Sequence, residues 1–252
     1  MKGKALFFIA VWLFSTFTLA DDFEVVVAKA KNAVVGVGIF DPIGTPRSQL
    51  QGTGFVIGDG TLVATNFHVV ERALEEGSQQ RRVVFIGTGN NPQINQAEIV
   101  KTDPAHDLAI LRIEQKVASV LSLSGEDRLP DGRDVAFTGY PIGAVLGLYP
   151  ATHKGMVAAT TPVVTPSANA QQLSLEVLKR LREPFMVYQL DATAYPGNSG
   201  SPVYNVSTGE VVAIINKVFV KESKESALSA PSGITYAIPV KYLRDLLAEV
   251  SQ

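Results

Sequence analysis

The chain has 252 residues, 46% of them hydrophobic and 18% charged, with 22 basic against 24 acidic side chains and no cysteine. A disordered polymer, a disulfide scaffold, a thiolate zinc site and a cysteine nucleophile are excluded together. The formal charge of −2 gives no electrostatic footprint for a nucleic acid or an anionic membrane, and only three histidines are available for imidazole chemistry.

The first twenty residues read as a secretory signal peptide. Lys2 and Lys4 precede the apolar stretch Ala5 to Phe14, and the small-residue segment ending in Ala20 is followed at once by Asp21 and Asp22. An apolar run of about fifteen residues is short for a bilayer span, which needs roughly 20. A retained anchor is the alternative. Cleavage after Ala20 removes two lysines and no acid, taking the charge from −2 to −4. Export without cysteines fits a bacterial periplasmic or secreted protein, with no stable membrane insertion once the signal is cut.

Beyond the signal, Asp22–Lys31 is a weakly amphipathic helical start. Short apolar runs then recur between Gly, Pro, Asn and Asp turns: Ala33–Phe40, Gly54–Ile57, Leu62–Thr65, Arg82–Ile86, Ile99–Lys101 and Leu108–Ile113. The polar Ser124–Arg133 segment separates these from Asp134–Thr138, Gly155–Ala159, Phe185–Leu190, Pro202–Tyr204, Val211–Val220 and Gly233–Ile238. Leu173–Leu181 carries helical spacing with cations in its last turn, and Pro239 opens a helix over 240–250. The pattern predicts an all-β chain of two six-stranded antiparallel β-barrels, about 33–123 and 134–239, with short helices and a C-terminal helix.

Three segments carry chemistry. In Pro196-Gly197-Asn198-Ser199-Gly200-Ser201-Pro202 the glycines permit a tight turn that presents a hydroxyl while amides converge. An ordinary hairpin turn accounts equally well for those residue types. His68, in Thr65-Asn66-Phe67-His68-Val69-Val70, stands at the end of a predicted strand, where a satisfied core histidine is the plainer reading. Asp107 opens the apolar run Leu108–Ile113, and a carboxylate buried there needs a partner. The adjacent His106 points to the opposite face of a strand, and His153 falls in a predicted Gly/Pro-rich loop. Taken together, a hydroxyl, an imidazole and a carboxylate make a nucleophile, its base and the group that orients the base. Their chain order of His68, Asp107, Ser199 separates them from the subtilisin and α/β-hydrolase arrangements.

Several stretches then resemble the protease domain of HtrA/Deg-type serine proteases: Gly52-Thr53-Gly54-Phe55, Thr65-Asn66-Phe67-His68-Val69-Val70, Asp107-Leu108-Ala109-Ile110-Leu111, Gly139-Tyr140-Pro141, Asp191 through Gly200, and Tyr236-Ala237-Ile238-Pro239. The resemblance covers residues 24–250. It implies the trypsin-like two-barrel fold, with His68 as base, Asp107 as orienting acid, Ser199 as nucleophile, and the Gly197 and Ser199 amides as an oxyanion hole. Thr193, Tyr195, Ile215 and Asn216 are implied to bind substrate. Thr193 stands where trypsins carry Asp, so a small or medium aliphatic residue is expected before the scissile bond. Ser201 replaces a family glycine, as in glutamyl endopeptidases, but Val211–Asn216 lacks the histidine those enzymes use. No PDZ domain is expected after Pro239.

Similarity also implies polypeptide substrates and a trimer held by the N-terminal segment, where Phe23 is the sole aromatic residue. Neither metal nor cofactor is expected: three scattered histidines lack ligand spacing. The resemblance implies regulatory roles for two loops, Thr165–Leu173 and Lys221–Ser232, and a pair of solvated surface loops is the equal alternative. A catalytically silent scaffold of the same fold, or an anchored regulatory protease if residues 1–20 are retained, stands as the alternative.

Overall fold

The computed structural model describes residues 22–141, 147–163, 185–216 and 233–250. The predicted signal segment, the Leu173–Leu181 helix and both implied regulatory loops lie outside them.

Helix α1 (Phe23–Ala33) opens with Asp22, whose carboxylate accepts from the Glu24 amide, an N-cap that satisfies one donor of the first turn. Its buried Val26 and Ala30 pack on Ala136 and Tyr204, with Phe23 against the same cluster of its own chain. Six strands follow: β1 (Val34–Phe40), β2 (Ser48–Ile57), β3 (Leu62–Thr65), β4 (Arg81–Ile86), β5 (Gln93–Asp103) and β6 (Leu108–Ile113). They close antiparallel in the order β1-β2-β3-β6-β5-β4. A second closed barrel, in the order β10-β11-β12-β9-β8-β7, comprises β7 (Asp134–Gly139), β8 (Ala151–Pro162), β9 (Met186–Asp191), β10 (Pro202–Asn205), β11 (Val211–Asn216) and β12 (Ile234–Pro239). This is the expected all-β architecture.

Each barrel fills its own interior, and a third apolar layer joins them. Val35, Val56, Val63, Leu111 and Ile113 pack inside the first barrel, and Val135, Phe137, Val157, Leu190 and Ile215 inside the second. On the opposite face of the same strands, Phe55, Ile57, Leu108 and Ile110 meet Val211, Ile214 and Ile238 between the barrels. Strands buried on both faces explain why Phe55–Ile57 and Leu108–Leu111 are continuous apolar runs rather than alternating ones. Tyr140, at the end of β7, donates its hydroxyl to the Val34 carbonyl at 3.2 Å, and burial pushes its pKa up to about 12.

The C-terminal helix, here α3 (Val240–Ala248), buries Val240, Leu243 and Leu246 along one stripe against β11. From its outer side Arg244 donates to the Ser124 carbonyl and the Asp127 carboxylate, anchoring the connection between the barrels. Strands β2, β5 and β8 extend well past their apolar centres. Ser48–Gln51, Gln93–Gln96 and Ala151–Lys154 are polar enough to read as loops, yet each finds a ladder partner. His153 is therefore corrected from a loop to strand β8, paired with Phe137.

Candidate active site

His68 is not at a strand end as expected. It lies in a one-turn helix, α2 (Phe67–Val70), inserted directly after β3. Two backbone ties hold that turn: Phe67 donates its amide to the Asp107 carbonyl at 3.1 Å, and the Asn66 carboxamide donates to the same oxygen at 3.1 Å. The Asp107 carboxylate completes the arrangement. One oxygen accepts from the His68 amide at 2.8 Å, and the other lies 2.7 Å from His68 Nδ1.

Asp107 adopts φ 53°, the one positive value among the described non-glycine residues. Such a conformation costs of order 1–3 kcal/mol and persists only where the surroundings over-determine it. Here they do: five donated hydrogen bonds converge on this residue. The fifth comes from the other barrel, where Asn216 Nδ2 donates to Asp107 Oδ2 at 2.7 Å. Asn216, expected among substrate-binding residues, is fully buried and turns its side chain onto this carboxylate. A half-buried carboxylate with two side-chain donors is compensated, which answers the need for a partner seen in the sequence. His106 takes no part. Its Nδ1 lies 2.5 Å from Asp103, and its ring stacks on Tyr242 at 4.1 Å between centroids.

Ser199 stands on the turn between β9 and β10 and is 7% exposed. Both barrels grip this turn. Thr53 of β2 donates its amide to the Ser199 carbonyl at 2.8 Å, and the Gly200 amide donates to the Ile215 carbonyl of β11 at 3.0 Å. Thr53 Oγ1 donates to the Gly197 carbonyl at 2.7 Å while accepting from the Tyr140 amide at 3.1 Å. Thr65, three residues before His68, donates its hydroxyl to the Thr53 carbonyl at 2.7 Å. A Cβ on Gly52 would come 2.7 Å from Val69 and 3.0 Å from the Ser199 carbonyl, so the α2 turn and the Ser199 turn approach one another across a bare backbone.

Gly197 has φ 99° and Gly200 φ 85°, values that side-chain-bearing residues rarely adopt. With that geometry the Asn198 amide folds back onto the Tyr195 carbonyl at 3.0 Å. The Gly197 and Ser199 amides have no acceptor among the described residues, and no hydrogen bond links His68 Nε2 to Ser199 Oγ. Catalytic hydrogen bonds often tighten only once substrate is bound.

The remaining predicted residues divide. Thr193 and Tyr195 are half-buried in the segment leading to Ser199. Ile215 is fully buried in the second barrel's core, so only its backbone reaches the turn. The sequence reading missed Thr235, whose buried hydroxyl donates to the Ala192 carbonyl at 2.6 Å and accepts from the Ala194 amide at 2.9 Å. It thereby clamps that segment from β12. It also missed Thr53 as an individual residue, although the Gly52-Thr53-Gly54 motif marks its place. His153 lies beneath the segment, stacked on Phe137 at 4.9 Å with its ring centroid 6.0 Å from that of Tyr195. Burial pushes its imidazole below the ordinary histidine value.

Among the described residues no group of three His, Asp or Glu side chains could hold a metal ion, and no helix is long and apolar enough to cross a membrane. Comparison with known proteins agrees with this architecture. A probable periplasmic serine endoprotease, DegP-like, from Pseudomonas putida is 30% identical over 200 residues, covering 79% of this chain and 35% of that protein. The corresponding protein of a Marinomonas species is 32% identical over 195 residues, 77% of this chain and 34% of its own. The chain spans about a third of the length of these relatives. Among solved structures, the HtrA-type protease AlgW with a tripeptide superposes with a TM-score of 0.64 at 24% identity, covering 90% of this chain and 63% of that one. The active form of the Rv3671c protease from M. tuberculosis gives 0.64 at 22% identity, covering 96% and 94%. Residues 52–214 match the model of the trypsin-like peptidase domain, and the chain belongs to that family.

Proposed function

We propose that the protein is a serine endopeptidase, acting on exported polypeptides through Ser199, His68 and Asp107. The observation that carries this reading is the convergence on Asp107: His68 of the first barrel and Asn216 of the second both bind its carboxylate, and β11 also holds the Ser199 turn. An imidazole oriented by a carboxylate, together with a hydroxyl and two amides that have no acceptor among the described residues, is suited to acyl transfer.

In the proposed cycle Ser199 Oγ attacks the scissile carbonyl as its proton passes to His68 Nε2. Charge on the carbonyl oxygen develops against the Gly197 and Ser199 amides. His68 returns the proton to the leaving amine, and water then repeats the sequence on the acyl-enzyme. Asp107 fixes the tautomer of His68 and stabilises its charged form without taking the proton. Thr193 brings no carboxylate to pair with Lys or Arg, so the residue before the scissile bond is a small or medium aliphatic one such as Val, Ala or Leu. The periplasmic setting in the relatives' names accords with the signal-like N-terminus.

A fluorophosphonate reagent should label Ser199 alone, and Ser199→Ala should lose β-casein turnover by a factor of about 10⁵ or more. Labelling absent from the folded wild type, or casein turnover persisting in Ser199→Ala, would overturn the reading and leave a protease-fold binding protein. In a peptide library, cleavage after Lys equal to cleavage after Val would sink the aliphatic preference by itself.

A further inference from the structure

The Ser199 turn rests on the end of β7 at a point with no side chain. The β7–β10 ladder pairs Ala136 with Tyr204 and Phe137 with Val203, and the same register carried onward sets Gly139 opposite Ser201. Residues so opposed present their side chains on one face. Gly139 has none to present, and the Ser201 hydroxyl takes the space. A Cβ built on Gly139 would lie 1.9 Å from Ser201 Oγ, 2.8 Å from Asn198 Oδ1 and 3.0 Å from Thr53 Oγ1. Gly139 is not among the glycines of positive φ, so it is required here for space and not for backbone conformation. Ser201 stands where HtrA/Deg-type proteases carry glycine, and Gly139 leaves the room that its hydroxyl needs.

Asn198 and Ser201 are both fully buried. The backbone of Ser201 is fixed twice, its amide donating to the Asn198 carbonyl at 3.0 Å and its carbonyl accepting from the Ile215 amide of β11 at 2.9 Å. The Asn198 carboxamide has no such tie among the described residues, so its place is set by the wall on which it packs. That place matters to the chemistry. Asn198 lies between the Gly197 and Ser199 amides, and the Ser199 N–H belongs to the peptide group that Asn198 begins. A rotation of Asn198 turns that N–H, and an oxyanion donor acts only within about 2.7–3.1 Å of the developing charge.

We infer that Gly139 and Ser201 are positioning residues for acyl transfer: the bare α-carbon of one and the hydroxyl of the other form a seat that places Asn198, and through it the Ser199 amide, toward the carbonyl oxygen of the substrate. This inference rests on the serine-endopeptidase reading and extends the oxyanion site from the turn to β7.

The test compares wild type with Gly139→Ala, Ser201→Ala and the double variant. The substrate is an anilide of the residue that the peptide library selects, and the inhibitor is the boronic acid of the same peptide. Rates are taken per Ser199 that the fluorophosphonate finally labels, which removes any unfolded fraction. Bound to Ser199, the boronate is a tetrahedral anion and reads the amides directly, as a transition-state analogue does. Gly139→Ala drives a methyl into the Ser201 hydroxyl, so kcat and boronate affinity should fall together by about 10²-fold while KM changes by less than about 3-fold. Ser201→Ala deletes only the oxygen, and a smaller displacement should lower both by about 3–10-fold. In the double variant the new methyl occupies the place of the missing oxygen, and about tenfold of the Gly139→Ala loss should return.

Wild-type kcat per labelled site in Gly139→Ala, a loss that the double variant does not recover, or a fall in kcat without a fall in boronate affinity overturns the seat and leaves the endopeptidase standing. Where Gly139→Ala does not fold, Ser201→Ala decides alone, and wild-type kcat and boronate affinity in that variant overturn the seat. A wild type that is not labelled and cleaves neither casein nor the library overturns the reading beneath it and the seat with it.

Discussion

The two barrels prepare their shares of the site in different ways. In the first, His68 and Asp107 are held by a dense set of hydrogen bonds: backbone and side chain of Asp107 together receive five, and its unfavourable φ of 53° is sustained by them. In the second, Thr53 grips the Ser199 turn at the Gly197 and Ser199 carbonyls, Thr235 grips the leading segment at the Ala192 carbonyl, and the turn's interior is sparsely satisfied. Asn198 and Ser201 are fully buried, yet neither carboxamide atom of Asn198 nor the Ser201 hydroxyl has a hydrogen-bond partner among the described residues. A base and its orienting acid can be built as one rigid unit. In the proposed cycle the Gly197 and Ser199 amides, which have no acceptor among the described residues, would meet the transient charge, and the chain carrying them is clamped from outside.

Breaking the rigid half should have the largest effect. Asp107→Asn preserves the shape but offers the Nδ1 side of His68 a donor, and kcat on β-casein should fall by about 10⁴. A loss below tenfold would mean that the five bonds around Asp107 serve only the fold. On the clamped half, Gly197→Ala forces a side chain onto φ 99° and should displace one amide. Turnover should then fall by about 10²–10³, with Ser199 labelling slowed in parallel. Equal rates for wild type and Gly197→Ala would remove that amide from the chemistry.

Asn216→Ala tests the one hydrogen bond by which the second barrel reaches the first barrel's carboxylate. Asp107 keeps its two bonds from His68, so a reduction of about tenfold in kcat with little change in KM is expected, the size of losing one hydrogen bond to a charged group. A larger rise in KM than fall in kcat would restore Asn216 to the substrate-binding role that the resemblance implied.

His153 gives the smallest effect and sharpens the comparison from below the loop. Burial lowers its folded pKa, so the folded protein binds this proton more weakly than the unfolded chain does. Stability is therefore full above the unfolded value of about 6.5 and declines as pH falls toward the lower, folded one. His153→Phe should flatten the dependence of Tm between about pH 7.5 and 5.5, a difference of about 2 °C for one half-buried imidazole. Parallel curves for the two proteins would show that His153 contributes nothing to acid sensitivity.

Local pattern carried most of the architecture. Val/Ile-rich runs between Gly, Pro and Asn turns located the strands, because burial of apolar faces and turn geometry are both written in short stretches of chain. Where strand ends are polar, as in Ser48–Gln51 and Gln93–Gln96, the ladder that pairs them comes from a partner distant in sequence, and local pattern is silent. His68 shows the same limit. Its helical turn is made by bonds from Asn66, Phe67 and His68 to Asp107, thirty-nine to forty-one residues away.

By itself the amino-acid sequence determined which residue types were available, their order along the chain, and the all-β class, since these depend on composition and periodicity. Only the tertiary structure decided that Asn216 binds Asp107, that His153 lies in a strand, and that Thr53 clamps the Ser199 turn while Thr235 clamps the segment leading to it. Each depends on the closure of two barrels against one another, which brings together side chains whose separation in sequence carries no trace of their distance in space.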